Sequence, residues 1–136
     1  MDTVTGLAMC RGYLISGSKD KNLRLWGLDN SIYNLKSTVH GFNDYINTVE
    51  SNTLDDIGDN YHPVFYCGDR TGQVKVGAIF REKIEFVGMM AHTQSVNSIC
   101  ALEMQKGITA TASTDKTIKL WQPTSDTFRL IEEQLC

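Results

Sequence analysis

The stretch Tyr13-Leu-Ile-Ser-Gly-Ser-Lys-Asp-Lys-Asn-Leu-Arg-Leu-Trp26 returns near the other end of the chain as Ile108-Thr-Ala-Thr-Ala-Ser-Thr-Asp-Lys-Thr-Ile-Lys-Leu-Trp121. The two align without a gap at an offset of 95, which sets Ser18 on Ser113, Asp20 on Asp115, Lys21 on Lys116, Leu25 on Leu120 and Trp26 on Trp121. A weaker copy, Val64 to Gly77, lies between them at offsets of 51 and 44. Three units of roughly 47 residues follow, and such a period constrains architecture more than local propensity does, because each unit must be one supersecondary element that buries its apolar faces against its neighbours.

Within each unit a short β-branched or aromatic run, a polar turn and an alternating run read as two strands joined by a tight turn. The whole chain then reads as three sets of four strands: Val4–Met9, Tyr13–Ser18, Asn22–Trp26 and Ile32–Val39; Ile46–Glu50, Val64–Gly68, Gln73–Ala78 and Ile84–Met90; Val96–Leu102, Ile108–Ser113, Thr117–Trp121 and Thr127–Ile131. Arg11-Gly12 is a turn, the polar stretch Asn52–Pro63 is a surface loop about ten residues longer than that turn, and Glu132–Cys136 is expected to fray.

A period of about 40–45 residues with four strands per unit marks a propeller blade. Leu-Arg-Leu-Trp26 and Ile-Lys-Leu-Trp121 after a Ser-x-Asp turn resemble the WD40-repeat family. The Asp that follows the family's Trp is replaced by Gly27, Ala78 and Gln122, so the resemblance rests on the Ser-x-Asp…Trp frame. It implies an all-β fold of three four-stranded antiparallel blades, roughly 2–39, 42–90 and 92–131, as an incomplete segment of a β-propeller spanning 1–136.

The resemblance also implies a structural hydrogen-bond set of turn His, strand Ser, turn Asp and Trp. The third blade would hold His92, Ser113, Asp115 and Trp121, and the first Ser18, Asp20 and Trp26. The second has Gly77 for the Trp, Cys67 and Asp69 at the Ser positions and Thr71 for the Asp, with Tyr66 or Phe80 expected to repair its packing. His40-Gly41 reads as a permuted form of the turn that Ala91-His92 makes. Counting back from Val4, the partner of Asp20 falls one position before Met1, so either Asp20 pairs otherwise or the chain is a piece of a longer protein. Propellers close with about four to eight blades, which favours the second reading.

Composition narrows the function classes. Sixteen acidic against thirteen basic side chains give a net charge of −3 with no basic block, which removes the footprint of nucleic-acid binding. No run of 18 apolar residues and no signal-peptide pattern occurs. Cys10, Cys67, Cys100 and Cys136 are widely spaced, which speaks against a disulfide framework or zinc site and for a reducing, cytoplasmic setting. No cofactor and no metal are expected. Asp55, Asp56, Asp59 and His62 fit no calcium-loop spacing, and His40 reads as structural or exposed.

The resemblance implies a non-catalytic protein-interaction scaffold. Contact residues are expected in the turns between second and third strands and in those leading into inner strands: Lys19, Lys21, Asp44, Tyr45, Arg70, Gln94 and Lys116. Tyr13–Asn30 and Val96–Trp121 are further similar to blades from the WD40 tail of kinesin-4-type motors, which implies docking of protein partners or microtubules; no phosphate-binding loop is present here. Two other readings stay open. A pair of three-blade copies would make a six-blade ring by self-association. An enzyme with a site at the central opening would have to draw on the inner strands, which offer Thr5, Asn47, Thr48, Asn97, Ser98, Cys100 and one carboxylate, Glu50, with no known catalytic motif.

Overall fold

The computed structural model describes residues 2–10, 12–51, 64–101, 108–123 and 128–136. Met1, Arg11, the loop from Asn52 to Pro63 with Asp55, Asp56, Asp59 and His62, Leu102 and Thr127 lie outside the described residues. The strands are β1 Val4–Cys10, β2 Tyr13–Ser18, β3 Leu23–Asp29, β4 Ile32–Val39, β5 Ile46–Ser51, β6 Val64–Asp69, β7 Gln73–Phe80, β8 Lys83–Met90, β9 Val96–Ala101, β10 Thr109–Ser113, β11 Thr117–Pro123 and β12 Phe128–Leu135. They form three antiparallel four-stranded meanders in sequence order, β1–β4, β5–β8 and β9–β12. The all-β, three-blade expectation holds. The expected frayed tail does not: β12 runs on through Glu132–Leu135, held to β11 from Leu120↔Glu132 to Thr117↔Leu135. An outermost strand has few packing demands, so polar residues sit in it without penalty.

The inner strands β1, β5 and β9 lie side by side, and each carries a bulge near its start, at Thr5, Asn47 and Asn97. The bulged side chain faces the next blade. Thr5 donates to the Ile46 carbonyl and Asn47 Nδ2 to the Val96 carbonyl at 3.2 Å. Asn97, with no further blade beyond it in this chain, exchanges hydrogen bonds with Thr114 at 3.0 and 3.2 Å.

Two apolar layers fill the junctions between blades. Ile15, Leu23 and Leu25 of the first sheet pack on Ile46, Val49, Phe65 and Cys67 of the second. Tyr66 and Val74 on the second sheet's other face pack on Val96, Ile99 and Trp121 of the third. Close approach is bought with glycine at equivalent points: a Cβ on Gly17 would lie 2.5 Å from Ile46 Cγ2, and one on Gly68 2.5 Å from Val96 Cγ1. Each blade therefore turns its Trp-bearing face toward the preceding blade. That face of the first blade is uncovered, with Leu7, Met9, Leu28 and Leu35 at least half exposed.

The three hairpins joining second to third strands have a left-handed residue at the same point: Lys21 (φ 67°), Gly72 (φ 99°) and Lys116 (φ 70°). The outer hairpins turn on Asn30-Ser31 and Arg81-Glu82, both residues left-handed in each pair, the conformation of a two-residue turn that suits the right-handed twist of the strands.

Candidate functional site: the blade network and the rim

Cross-strand register puts Trp121 opposite Thr109, and Lys119 opposite Thr111. Strand alternation places Thr109, Thr111 and the indole on one face. The Trp121 indole N–H donates to Thr111 Oγ1 at 2.9 Å, and Thr111 Oγ1 lies 2.7 Å from His92 Nε2. His92 Nδ1 is 2.9 Å from Asp115 Oδ2 and 3.0 Å from Thr117 Oγ1. An indole N–H can only donate and a carboxylate can only accept, so Trp121 donates to Thr111 and His92 Nδ1–H to Asp115; with a neutral imidazole the Thr111 hydroxyl then donates to Nε2. Thr117 adds a hydroxyl at 2.5 Å and its backbone N–H at 2.9 Å to Asp115 Oδ1. Burial alone would raise the Asp115 carboxyl, but the bonds from Thr117, His92 and the Thr93 and Thr117 backbone amides outweigh it and hold the group far below the usual carboxylate range.

The structure corrects the expected set. The bridging hydroxyl is Thr111, not Ser113. Ser113 sits two residues further along, where its Oγ donates to Ser95 O at 2.8 Å and accepts the Asp115 N–H at 3.1 Å, which braces the turn. The first blade repeats the shift: Trp26 donates to Ser16 at 2.9 Å, while Ser18 donates to Thr3 O at 3.0 Å and accepts the Asp20 N–H at 3.1 Å. Asp20 pairs with Arg24 at 2.7 Å. A repeat alignment shows serine at both turn positions and cannot show which hydroxyl the indole reaches.

The second blade replaces the Trp, Thr and His of the network with apolar groups. Phe42 stands where His92 stands in the third, Cys67 where Thr111 does, Phe65 where Thr109 does and Gly77 where Trp121 does, by the matching registers of β6 with β7 and β10 with β11. Phe65 and Phe86 flank Gly77 across the sheet and meet edge to face at 5.9 Å; Phe42 meets Phe86 likewise at 5.9 Å. A Cβ on Gly77 would fall 2.3 Å from the Phe65 ring. Phe65 and Phe86, not Tyr66, make the repair: Tyr66 faces the third blade, and the Phe80 side chain lies outside the described residues. Position 42 shows that Gly41-Phe42 matches Ala91-His92. His40 instead ends the first blade, exposed, with Nδ1 2.6 Å from Asn22 Oδ1.

His92, Thr111 and Asp115 have the groups of a nucleophile relay, but the hydroxyl is occupied by the indole and the imidazole is 3% exposed, so no substrate reaches it. Burial pushes the Cys67 thiol upward, leaving it un-ionised. On the inner strands Thr5 and Asn47 are engaged between blades, and burial raises the Glu50 carboxyl. Among the described residues no three His, Cys, Asp or Glu side chains gather to hold a metal. No helix of the described residues is long and apolar enough to cross a membrane.

Lys19, Lys21, Asp44, Tyr45, Arg70, Gln94 and Lys116 fall on one rim. The β2–β3 type hairpins and the turns leading into inner strands are tied there by equivalent backbone bonds: Lys19 N–H to Thr3 O at 3.0 Å, Arg70 N–H to Tyr45 O at 2.9 Å, and Thr114 N–H to Ser95 O at 3.0 Å. Lys19, Lys21, Arg70, Gln94 and Lys116 are exposed, Asp44 and Tyr45 half-buried. Sequence reasoning missed Thr111, Thr117, Phe42 and Phe65, whose roles depend on register.

The family model described as WD domain, G-beta repeat matches residues 2–27 and 84–122, which skips most of the blade that lacks the Trp network. No curated protein matches the sequence. In fold the chain is similar to the crystal structure of Sqt1 from Saccharomyces cerevisiae, with a TM-score of 0.83 at 12% identity, covering 99% of this chain and 35% of that one. It is also similar to the computationally designed Ika4 protein, with a TM-score of 0.73 at 21% identity, covering 98% of this chain and 73% of that one. The chain thus spans about a third of the length of Sqt1. The chain folds as three consecutive four-stranded antiparallel blades, an open propeller-like segment, and the WD-domain model matches parts of its first, second and third blades.

Proposed function

We propose that the chain is a non-catalytic protein-interaction scaffold that works as part of a larger ring, in a cytoplasmic setting. The observation that carries this is the rim: Lys19, Lys21, Asp44, Tyr45, Arg70, Gln94 and Lys116 come from separate hairpins and converge at one end of a rigid set of sheets, the arrangement that lets loops on a stiff frame recognise a partner. The finer reading is a kinesin-like tail that docks protein partners or microtubules, supported by the likeness of the first and third blades to that tail.

Closure between two copies is the second reading, and one contact weighs against it. Ala112 stands where Gly17 and Gly68 stand in the other blades, by its pairing with Ser98 and Ile118. A second copy seated as the internal blades are would bring its Val4 to the place of Ile46 and Val96, which leave no room for a Cβ.

The test joins solution mass, thermal unfolding and co-sedimentation. A chain that stays monomeric or associates loosely supports the ring-segment reading, and a discrete, cooperatively melting dimer overturns it. Pelleting with microtubules at saturable stoichiometry supports the finer reading; a chain that stays in the supernatant removes it.

A further inference from the structure

Tyr45 has the Lys19 ammonium 5.9 Å from its ring centroid and the Arg70 guanidinium 5.5 Å from it. The two cations come from equivalent places in neighbouring blades. In the third blade the equivalent residues are Thr114 and Ser95, which make the same backbone bond with neither a cation nor a ring. The fold therefore requires only the backbone bond at this point, and the trio of side chains is an addition to it.

Nothing among the described residues neutralises the pair: neither Lys19 nor Arg70 has a carboxylate within ion-pair distance. The neighbouring acids are engaged. Asp44 Oδ1 accepts the Tyr45 N–H at 2.7 Å, Asp2 Oδ1 accepts the Thr3 N–H at 2.7 Å, and Asp20 holds Arg24. Two like charges beside one ring repel, and an anion between them relieves the repulsion while the ring face offers apolar contact.

We propose that Lys19, Tyr45 and Arg70 form a docking site for an acidic peptide segment of a partner protein, with Asp or Glu carboxylates meeting the two cations and the peptide lying on the Tyr45 ring. This rests on the scaffold reading above and adds the chemistry of the partner. Nucleic acid fits less well. It needs a row of cations along a phosphate backbone, whereas this site offers two cations beside one ring.

The probe is a fluorescein-labelled dodecapeptide of alternating Glu and Ser, titrated with the full chain and read by anisotropy, beside a Lys-Ser peptide and a 12-nucleotide oligothymidylate. The Glu-Ser peptide is expected to bind saturably and the Lys-Ser peptide not at all. The K19A/R70A double variant should weaken binding about tenfold, the sum of two exposed ion pairs. Tyr45→Leu should weaken it a few-fold and K83A, at the opposite end, not at all. Equal binding by K19A/R70A, tighter binding of the oligothymidylate, or a wild-type chain that melts normally yet ignores the peptide would each overturn the site. Because wild-type melting is read separately, the last outcome removes this site and leaves the scaffold reading to its own test.

Discussion

The second and third blades have the same strand order, an equivalent turn between second and third strands and the same Lys in the third strand, yet they fill the space beneath that lysine in opposite ways. In the third, Lys119 donates to Ala91 O at 2.7 Å above a Trp–Thr–His–Asp chain. In the second, Lys75 donates to the equivalent Gly41 O at 3.1 Å and lies 4.4 Å from the centroid of Phe42, above a cluster of phenylalanines. Removing one partner from a buried polar set strands the others, at about 1–3 kcal/mol per group, whereas exchanging the whole set for apolar groups of similar volume is close to neutral. The second blade has exchanged the Trp, Thr and His of the chain for Gly77, Cys67 and Phe42, while Thr71 and Gln73, at the places of Asp115 and Thr117, stay polar and bond the buried Asp69. What a blade requires is a filled layer, not a particular motif.

The largest way to break the contrast is Trp121→Ala, which removes a buried indole and the hydrogen bond it gives Thr111: a loss of about 3–5 kcal/mol is expected in denaturant unfolding. Trp26→Ala should cost visibly less, because Trp26 lies on the uncovered face of the first blade; equal losses would mean that this face is covered in solution. Half-exchanges come next. His92→Phe leaves Thr111 and Asp115 without the ring between them, and Phe42→His puts a polar ring among phenylalanines, each costing roughly 1–3 kcal/mol; if either is neutral, the layers are not exchanged as units.

The acid limb gives a smaller, directional effect. The Asp115 carboxyl is held below its ordinary value of 3.8 in the folded state, so its contribution is fully present above that value and is lost as pH falls from there through the folded one. Unfolding followed from pH 6 to pH 3 should show destabilisation that Asp115→Asn flattens. Last, Glu82→Gly should stabilise the second blade by about 0.5–1 kcal/mol, because Glu82 has a left-handed backbone at φ 61° that glycine adopts freely.

The contrast also shows how far the chain could be read without its fold. The strands emerge from the repeat because Tyr13–Ser18 is a short run rich in aromatic and β-branched residues before a polar turn and Ile32–Val39 alternates, and both stand at those bounds. The network was legible at its ends, His92, Asp115 and Trp121, since those groups have few uses inside a sheet. Its middle was not. Thr111 and Ser113 lie on the same face two residues apart, and only the register of β10 with β11 decides which hydroxyl meets the indole. The repair over Gly77 was hidden for a related reason: Phe65 and Tyr66 are adjacent in sequence but face opposite blades, and nothing local says which ring covers the glycine.

The bulged side chains of the inner strands have a mechanical consequence. Thr5 and Asn47 stitch each inner strand to the next, whereas at the outer edge Lys36 and Glu82 lie 3.8 Å apart between partly exposed groups. The assembly is therefore bound like a book, tight along the spine and loose along the fore-edge. Load applied at the outer strands opens the angle between blades before it shears the inner ones. A segment built this way can change the angle between its blades while keeping its spine, and with it the rim, in register.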